Sequence, residues 1–139
     1  MKANLVILIV DDDEDDRKLF IESAKEINAG INFVTAGDGQ EALRLLKDEH
    51  NELPDYIFLD LRMPRFGGKK CLEEIRSDKR LHGIPVFIYT TSTDVKDSME
   101  LKEMGAVHFI SKPADPGDIY YILSVVLDEK WNQLKIEGV

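Results

Sequence analysis

The sequence predicts an α/β domain in which a five-stranded parallel sheet lies between two layers of helices. Short apolar segments alternate with amphipathic segments five times along the chain. Several of the short segments are apolar at almost every position, which is typical of parallel strands buried on both faces. Strict alternation of strands and helices then places helices over both faces of the sheet.

The five predicted strands are residues 5–10, 33–36, 56–59, 86–89 and 107–110. Right-handed crossovers between parallel strands leave few topologies, chiefly the flavodoxin-like doubly wound sheet with strand order 2-1-3-4-5 and three layers, α/β/α. In such sheets ligands bind at the carboxyl ends of the strands. The residues that directly follow each strand are therefore the first candidates for function.

Five amphipathic segments carry apolar residues at spacings of three and four, which indicates helices with one buried face. The residues that mark these faces are Leu19, Phe20, Ser23, Ala24 and Ile27 in the first helix, Ala42, Leu43, Leu45 and Leu46 in the second, Leu72 and Ile75 in the third, Val95, Met99 and Met104 in the fourth, and Ile119, Ile122, Leu123, Val126 and Leu127 in the fifth. One aspartate among residues 13–16 should cap the first helix, and Asp115 or Asp118 the last. Gly105 is predicted to end the fourth helix.

The length and composition fit one domain, residues 1–128, with a tail of residues 129–139 that is expected to extend the last helix. The net charge of −9 argues against a nonspecific grip on nucleic acid, because phosphate backbones demand a surplus of lysine and arginine. The longest apolar run, residues 5–10, is too short for a membrane span or a signal-peptide core, so a cytoplasmic protein is expected. The single cysteine, Cys71, suits a reducing compartment and is predicted to pack against a helix.

Polar side chains follow four of the five predicted strands at the point where each strand ends. They are Asp11 and Asp12 after the first strand, Asp60 after the third, Thr90 and Thr91 after the fourth, and Ser111 and Lys112 after the fifth. Because the carboxyl ends of parallel strands lie at one edge of a sheet, these side chains are expected to converge.

Such a cluster has a recognisable chemistry. Convergent carboxylates repel one another unless a cation is present, and Mg²⁺ is a hard cation that binds carboxylates while leaving room for a phosphoryl oxygen. A carboxylate can attack phosphorus and form an aspartyl phosphate, and a lysine and a hydroxyl can stabilise the charge on the phosphoryl oxygens. The sequence therefore predicts Mg²⁺-dependent phosphoryl transfer to an aspartate.

Over about residues 5–127 the sequence resembles the receiver domain of two-component response regulators. The matching segments, in chain order, are ILIVDDDEDD, GDGQEAL, FLDLRMP, VFIYTTS and FISKP. Each segment is weak alone, but the ordered set at these spacings is specific. The resemblance implies a signalling switch rather than an enzyme, phosphorylated by a sensor histidine kinase or a histidine phosphotransfer protein.

The resemblance also assigns roles to the residues at the strand ends. Asp60 is implied to be the phosphoacceptor, and Asp11 and Asp12 the acidic pair that holds Mg²⁺. Asp60 and the backbone carbonyl of Arg62 would complete the protein ligands of the metal. Arg62 and Ser92 are also implied to flank the path of the water that hydrolyses the acyl phosphate.

The remaining implied roles lie on the fourth and fifth strands. Thr90, favoured over Thr91 by the strand frame, would be the switch hydroxyl that turns toward the phosphoryl group, and Lys112 the lysine that pairs with it. A cis peptide bond is implied between Lys112 and Pro113. Phe109 occupies the position of an aromatic that changes rotamer on activation, although a plain core aromatic explains it equally well.

The output surface is expected on the fourth helix, fifth strand and fifth helix, about residues 93–104, 106–111 and 116–127. A downstream protein partner or a two-fold homodimer would bind there, since the chain shows no second domain and no DNA-binding motif.

Three alternatives compete with this interpretation. A receiver-like binding module without phosphorylation would share the fold. A Mg²⁺-dependent phosphohydrolase would need a general acid two residues after its nucleophile, where this chain has Arg62. A nucleotide-binding switch would need a G-x-x-x-x-G-K-[ST] run, which the sequence lacks.

The acids at 13–16 are expected to be those of an ordinary solvated helix start.

Overall fold

A computed structural model of the protein describes residues 4–63, 66–91 and 95–128. Ser92 and the tail, residues 129–139, lie outside the described residues, and so does the expected extension of the last helix. The strands are β1 Val6–Val10, β2 Asn32–Ala36, β3 Tyr56–Leu59, β4 Val86–Thr90 and β5 His108–Ser111. The helices are α1 Glu14–Ile27, α2 Gly39–Lys47, α3 Gly68–Ser77, α4 Val95–Glu103 and α5 Pro116–Leu127.

The five strands form one parallel sheet in the order β2-β1-β3-β4-β5, which confirms the predicted topology. Val10 at the end of β1 pairs with Ala36 on one side and Leu59 on the other. At the other edge, Thr90 pairs with Ser111. No helix in the described part of the chain is long and apolar enough to cross a membrane.

Alternate residues of each buried strand enter two separate apolar cores. Leu8 and Leu59 point toward the core that α2, α3 and α4 cover, whereas Ile9 and Phe58 point toward the core under α1 and α5. Successive strand side chains project to opposite faces, so a strand covered on both sides must be apolar throughout. This requirement explains why the sequence of β1 is apolar at every position.

The capping residues settle two alternatives that the sequence left open. Asp13 caps α1, with its side chain accepting a hydrogen bond from the Asp16 amide at 3.1 Å. Asp115, rather than Asp118, caps α5 and accepts from the Gly117 amide at 2.9 Å. Each such bond satisfies one of the amide groups that a helix start leaves without an intrahelical partner.

Helix α4 is turned differently from the prediction. Met99 is 62% exposed, so its assignment to the buried face was wrong, and the buried side chains are Ser98 and Leu101. Met104 does pack against the core, as expected. Three apolar residues on a polar helix define its orientation poorly, and the tertiary packing of Leu101 decided it instead. Among residues 96–103 of α4, Leu101 is therefore the one large apolar side chain that is buried, and the side chain of Val95 lies outside the described part.

The carboxyl end of α4 is tied to α3 by Arg76. Its guanidinium donates hydrogen bonds to the carbonyl of Gly105 at 2.7 and 3.1 Å, and to those of His82 and Ile84 at 2.8 and 3.0 Å. Gly105 ends the helix, as predicted, with a φ of +101° that favours glycine. The end of α4 that lies far from the strand termini is thus firmly held.

Cys71, a residue of α3, points into the core that α2, α3 and α4 cover and has no exposed surface, which confirms its predicted packing role. Burial raises the pKa of its thiol to about 12, and the nearby charge of Glu74 adds to the rise. Because the folded pKa lies above the unfolded one, the neutral thiol favours the folded state. That contribution is complete below about pH 8.5 and declines as the pH rises further.

We expect an aromatic disulfide reagent at pH 8 to label Cys71 of the native protein only at the rate of unfolding. The thiol is inaccessible and un-ionised in the folded chain, and thiolate is the reactive form. Labelling in urea should be rapid, with the Cys71→Ala variant as the blank. Prompt stoichiometric labelling of native protein would contradict the buried assignment.

Candidate functional site

The carboxyl edge of the sheet brings three acidic side chains together. Asp11 and Asp60 are buried and Asp12 is exposed, and one carboxylate oxygen from each lies within 4.8 Å of the others. Asp11 and Asp12 follow β1, and Asp60 follows the adjacent β3. The predicted convergence of these carboxylates is therefore present in the fold.

Main-chain bonds that continue past the strand ends hold this cluster in place. The Asp60 amide donates to the Val10 carbonyl at 2.8 Å, and the Asp11 amide donates to the Ala36 carbonyl at 3.0 Å. The Asp60 side chain also accepts from the Arg62 amide at 3.3 Å. These bonds place both acids by backbone geometry rather than by flexible side chains.

Lys112 is the cation of the site. Its Nζ lies 2.7 Å from Asp11 Oδ2, 2.8 Å from Asp16 Oδ2 and 3.4 Å from Asp60 Oδ2. Its side chain is only 9% exposed, and its amide donates to the Thr90 carbonyl at 2.7 Å. One ammonium group thus contacts three carboxylates at the edge where β1, β3 and β5 end.

Sequence reasoning missed Asp16. The sequence predicts that it belongs with the solvated acids of residues 13–16, because an acid in the first turn of a helix ordinarily bonds locally. In the fold, the first turn of α1 lies beside the end of β5, 96 residues away in the chain. The one local signal is the helix cap. With Asp13 as the N-cap of α1, Asp16 is the third residue of the helix, and its position follows from that.

The charges of the cluster do not balance. Burial raises the pKa of the Asp11 carboxyl to about 6, and the hydrogen bonds from Lys112 and the Asp13 amide offset only part of that rise. Burial lowers the pKa of Lys112, but its hydrogen bonds to Asp11 and Asp16 outweigh burial and raise the pKa above its ordinary range. Lys112 therefore stays charged, while the carboxylates still exceed the positive charge available.

This imbalance fits a divalent cation. Three carboxylates within 4.8 Å of one another form the oxygen donor set that Mg²⁺ accepts, and a second cation relieves the repulsion that one ammonium leaves. The backbone carbonyl of Arg62 as a further ligand stays a prediction.

Thr90 and Phe109 are both completely buried, at the end of β4 and within β5. Thr91, the alternative to Thr90, is exposed. Phe109 belongs to the core beneath α2, α3 and α4, as either a switch or a plain core aromatic would. A change of its rotamer on activation stays a prediction.

The expected cis bond between Lys112 and Pro113 was wrong, because no described peptide bond is cis. Trans is the lower-energy isomer before proline where the surrounding structure does not select cis.

A family model described as the response regulator receiver domain matches residues 7–124. The chain belongs to this family. Receiver domains are phosphoacceptor switches of two-component signalling, and aspartyl phosphorylation and Mg²⁺ binding are general properties of the family. The match covers the five strands except for the first residue of β1, and the five helices except for the last three residues of α5.

Solved structures and a curated relative agree with the assignment. The phosphorylated cyanobacterial phytochrome response regulator RcpA is 30% identical with a TM-score of 0.83, over 94% of this chain and 96% of that one. The Mn²⁺-bound response regulator Rcp1 is 26% identical with a TM-score of 0.81, over 95% and 98%. A probable transcriptional regulator, ycf27 of Guillardia theta, is 36% identical over 87% of this chain. The receiver spans 44% of that relative's length.

Gly68, at the start of α3, packs against the backbone of the segment that contains Asp60 and Leu61. A Cβ atom at this position would lie 2.5 Å from the Asp60 carbonyl oxygen and 2.8 Å from Leu61 Cα. Both are backbone atoms that cannot move without moving Asp60. The amide of Gly68 also donates to the Leu61 carbonyl at 3.1 Å. Close approach therefore requires glycine here.

We expect Gly68→Ala to destabilise the receiver by about 2 kcal/mol in urea unfolding, because overpacking against backbone outweighs the gain in helix propensity. Gly37→Ala is the matched control, since a Cβ atom there meets nothing within 4 Å. Equal unfolding midpoints for the two variants would contradict the assigned contact.

Proposed function

We propose that this receiver accepts a phosphoryl group on Asp60, in a Mg²⁺-dependent reaction, from the phosphohistidine of a sensor histidine kinase or a histidine phosphotransfer protein. The observation that carries the proposal is the position of the Asp60 carboxylate. It lies at the carboxyl edge of the sheet, within 4.8 Å of two further carboxylates and 3.4 Å from a buried ammonium group.

In this reaction an oxygen of Asp60 forms the new bond to phosphorus as the P–N bond of the donor breaks. The departing imidazole keeps the electron pair of that bond and takes a proton. Mg²⁺, held by Asp11, Asp12, Asp60 and the carbonyl of Arg62, would neutralise part of the charge on the phosphoryl oxygens. Lys112, placed 3.4 Å from Asp60 Oδ2, would pair with another of those oxygens.

The same residues would convert phosphorylation into a change of shape. The phosphoryl group adds a charge of about −1.5 to −2 and strong acceptor oxygens, toward which the Thr90 hydroxyl would turn. Thr90 and Phe109 are both buried, on the adjacent strands β4 and β5, and under this proposal a movement of Thr90 would let Phe109 change its rotamer. Helix α4 buries Leu101 as the one large apolar side chain among residues 96–103, so repacking of its amino-terminal part would disturb little of the core.

The surface that reads this change would be formed by α4, β5 and α5. Of the four large apolar side chains exposed in the described chain, Met99, Tyr120 and Tyr121 lie on α4 and α5. Exposed aromatic and methionine side chains are enriched at protein interfaces. A downstream protein partner docking there is the proposed output, and a homodimer through the same face is the alternative that a sedimentation measurement would reveal.

We expect the native receiver to gain the mass of one phosphoryl group when incubated with acetyl phosphate and Mg²⁺, and Asp60→Asn to gain none. The amide of the variant cannot attack phosphorus. Asp48→Asn, which removes an exposed carboxylate at the carboxyl end of α2, is the matched control and should behave like native protein. Intact-mass measurement with and without chelator tests the metal requirement.

Failure of the native protein to gain a phosphoryl group, where a control receiver is modified, would favour the unphosphorylated binding module. Failure to form a beryllofluoride complex would support the same conclusion, because that complex needs no phosphodonor chemistry.

Arg62 is expected to prolong the phosphorylated state. Its side chain is exposed beside the phosphoacceptor, where it either shields the acyl phosphate from water or pairs with a phosphoryl oxygen. Arg62→Ala should lose the phosphoryl group about threefold faster, which is the scale of an exposed ion pair. Arg62→Gln keeps much of the bulk without the charge, so it separates shielding from pairing. Dephosphorylation of both variants at the native rate would refute the role.

A further inference from the structure

Asp16 is held over the site by the first turn of α1. Its amide donates to the capping side chain of Asp13 at 3.1 Å, which fixes the backbone of the turn. Its carboxylate then reaches Lys112 Nζ at 2.8 Å. The side chain is 37% exposed, so this contact is made at the mouth of the site and not in the core.

Asp16 stands apart from the residues that hold metal and phosphoryl group. Among the described residues, the carboxylates that approach one another closely enough to share a cation are Asp11, Asp12 and Asp60. Asp16 is not one of these three, and its carboxylate contacts the ammonium group of Lys112 instead. Removing its charge would therefore leave the acidic cluster intact.

The ammonium group of Lys112 can bind a further oxygen only by giving up one of its present contacts. Its ammonium group has three N–H bonds, and the two shortest carboxylate contacts are with Asp11 and Asp16, whereas Asp60 is farther away at 3.4 Å. The side chain is almost fully buried, with Nζ 5.9 Å from the centre of the Tyr89 ring. A phosphoryl oxygen on Asp60 must therefore draw the ammonium group away from the contacts it has.

We propose that Asp16 is a positioning residue that competes with the phosphoryl group for Lys112 and so shortens the life of the phosphorylated state. The inference rests on the proposed function of Asp60. An interaction that is strong before a transition and weaker after it adds to the cost of that transition. The ion pair between Asp16 and Lys112 weakens when the ammonium group turns toward the phosphoryl oxygens. The loss of that ion pair opposes binding of the phosphoryl group.

The same competition has the opposite effect on the metal. With Asp16 present, Lys112 is partly neutralised and binds Asp11 and Asp60 less strongly. Without the charge of Asp16, the full ammonium charge would bear on those two carboxylates and oppose the entry of Mg²⁺. The residue therefore favours the metal and disfavours the phosphoryl group.

The test titrates beryllofluoride, a phosphoryl mimic, into the receiver at saturating Mg²⁺, and separately titrates Mg²⁺ alone, both by calorimetry. Asp16→Asn should bind beryllofluoride about threefold more tightly than native protein, bind Mg²⁺ about threefold more weakly, and lose its phosphoryl group more slowly, on the scale of a partly exposed ion pair. Asp16→Glu, which restores the charge, should move both affinities back toward native values.

Asp15→Asn is the matched control, because it removes the same charge from an exposed side chain in the same helical turn. Affinities that change equally in Asp15→Asn and Asp16→Asn would overturn the proposal, since the effect would then be one of net charge. Weaker binding of both beryllofluoride and Mg²⁺ by Asp16→Asn would also overturn it. That result is expected if Asp16 only holds Lys112 in place, or if the variant folds poorly. Native protein that binds no beryllofluoride would refute the proposed function itself.

Discussion

The arrangement at the end of the sheet depends on one buried ammonium group. Lys112 enters at the end of β5 and contacts carboxylates from the ends of β1 and β3 and from α1. An isolated buried carboxylate is costly, so the acids that follow β1 and β3 can sit together because this lysine is beside them. Burial nevertheless holds the pKa of the Asp11 carboxyl above its ordinary range. Three carboxylates within 4.8 Å of one another beside a single ammonium group leave an excess of negative charge, which fits a divalent cation.

The acidic cluster lies at the edge of the sheet because the interior of the sheet is apolar and excludes charged side chains. Residues of β1, β3 and β4 are buried on both faces, and the aromatic rings of Phe20, Phe58 and Phe87 pack closely under α1 and α5. Charged side chains are therefore confined to the strand ends. Main-chain bonds from Asp60 and Asp11 to neighbouring strands then make the spacing of the acids a property of the backbone.

Much of this could be predicted from the sequence, because strand burial and strand-end chemistry leave local patterns. The apolar run of β1 followed by two acids identified Asp11, and the same logic identified Asp60 and Lys112. Asp16 escaped prediction because its partner is remote in the chain, and nothing local distinguishes it from a solvated acid. Met99 was misplaced for a related reason, since a mostly polar helix is oriented by its neighbours and not by its own pattern.

The order of elements has a consequence for the electric field at the acidic edge. Four of the helices begin within five residues of the carboxyl end of the preceding strand, and α3 begins nine residues after β3, so the amino ends of the helices lie at the edge where Asp60 lies. An α-helix carries roughly half a positive elementary charge at its amino end, through the aligned dipoles of its peptide groups. The backbone thus contributes a permanent positive potential there that no side-chain substitution removes and no physiological pH change titrates.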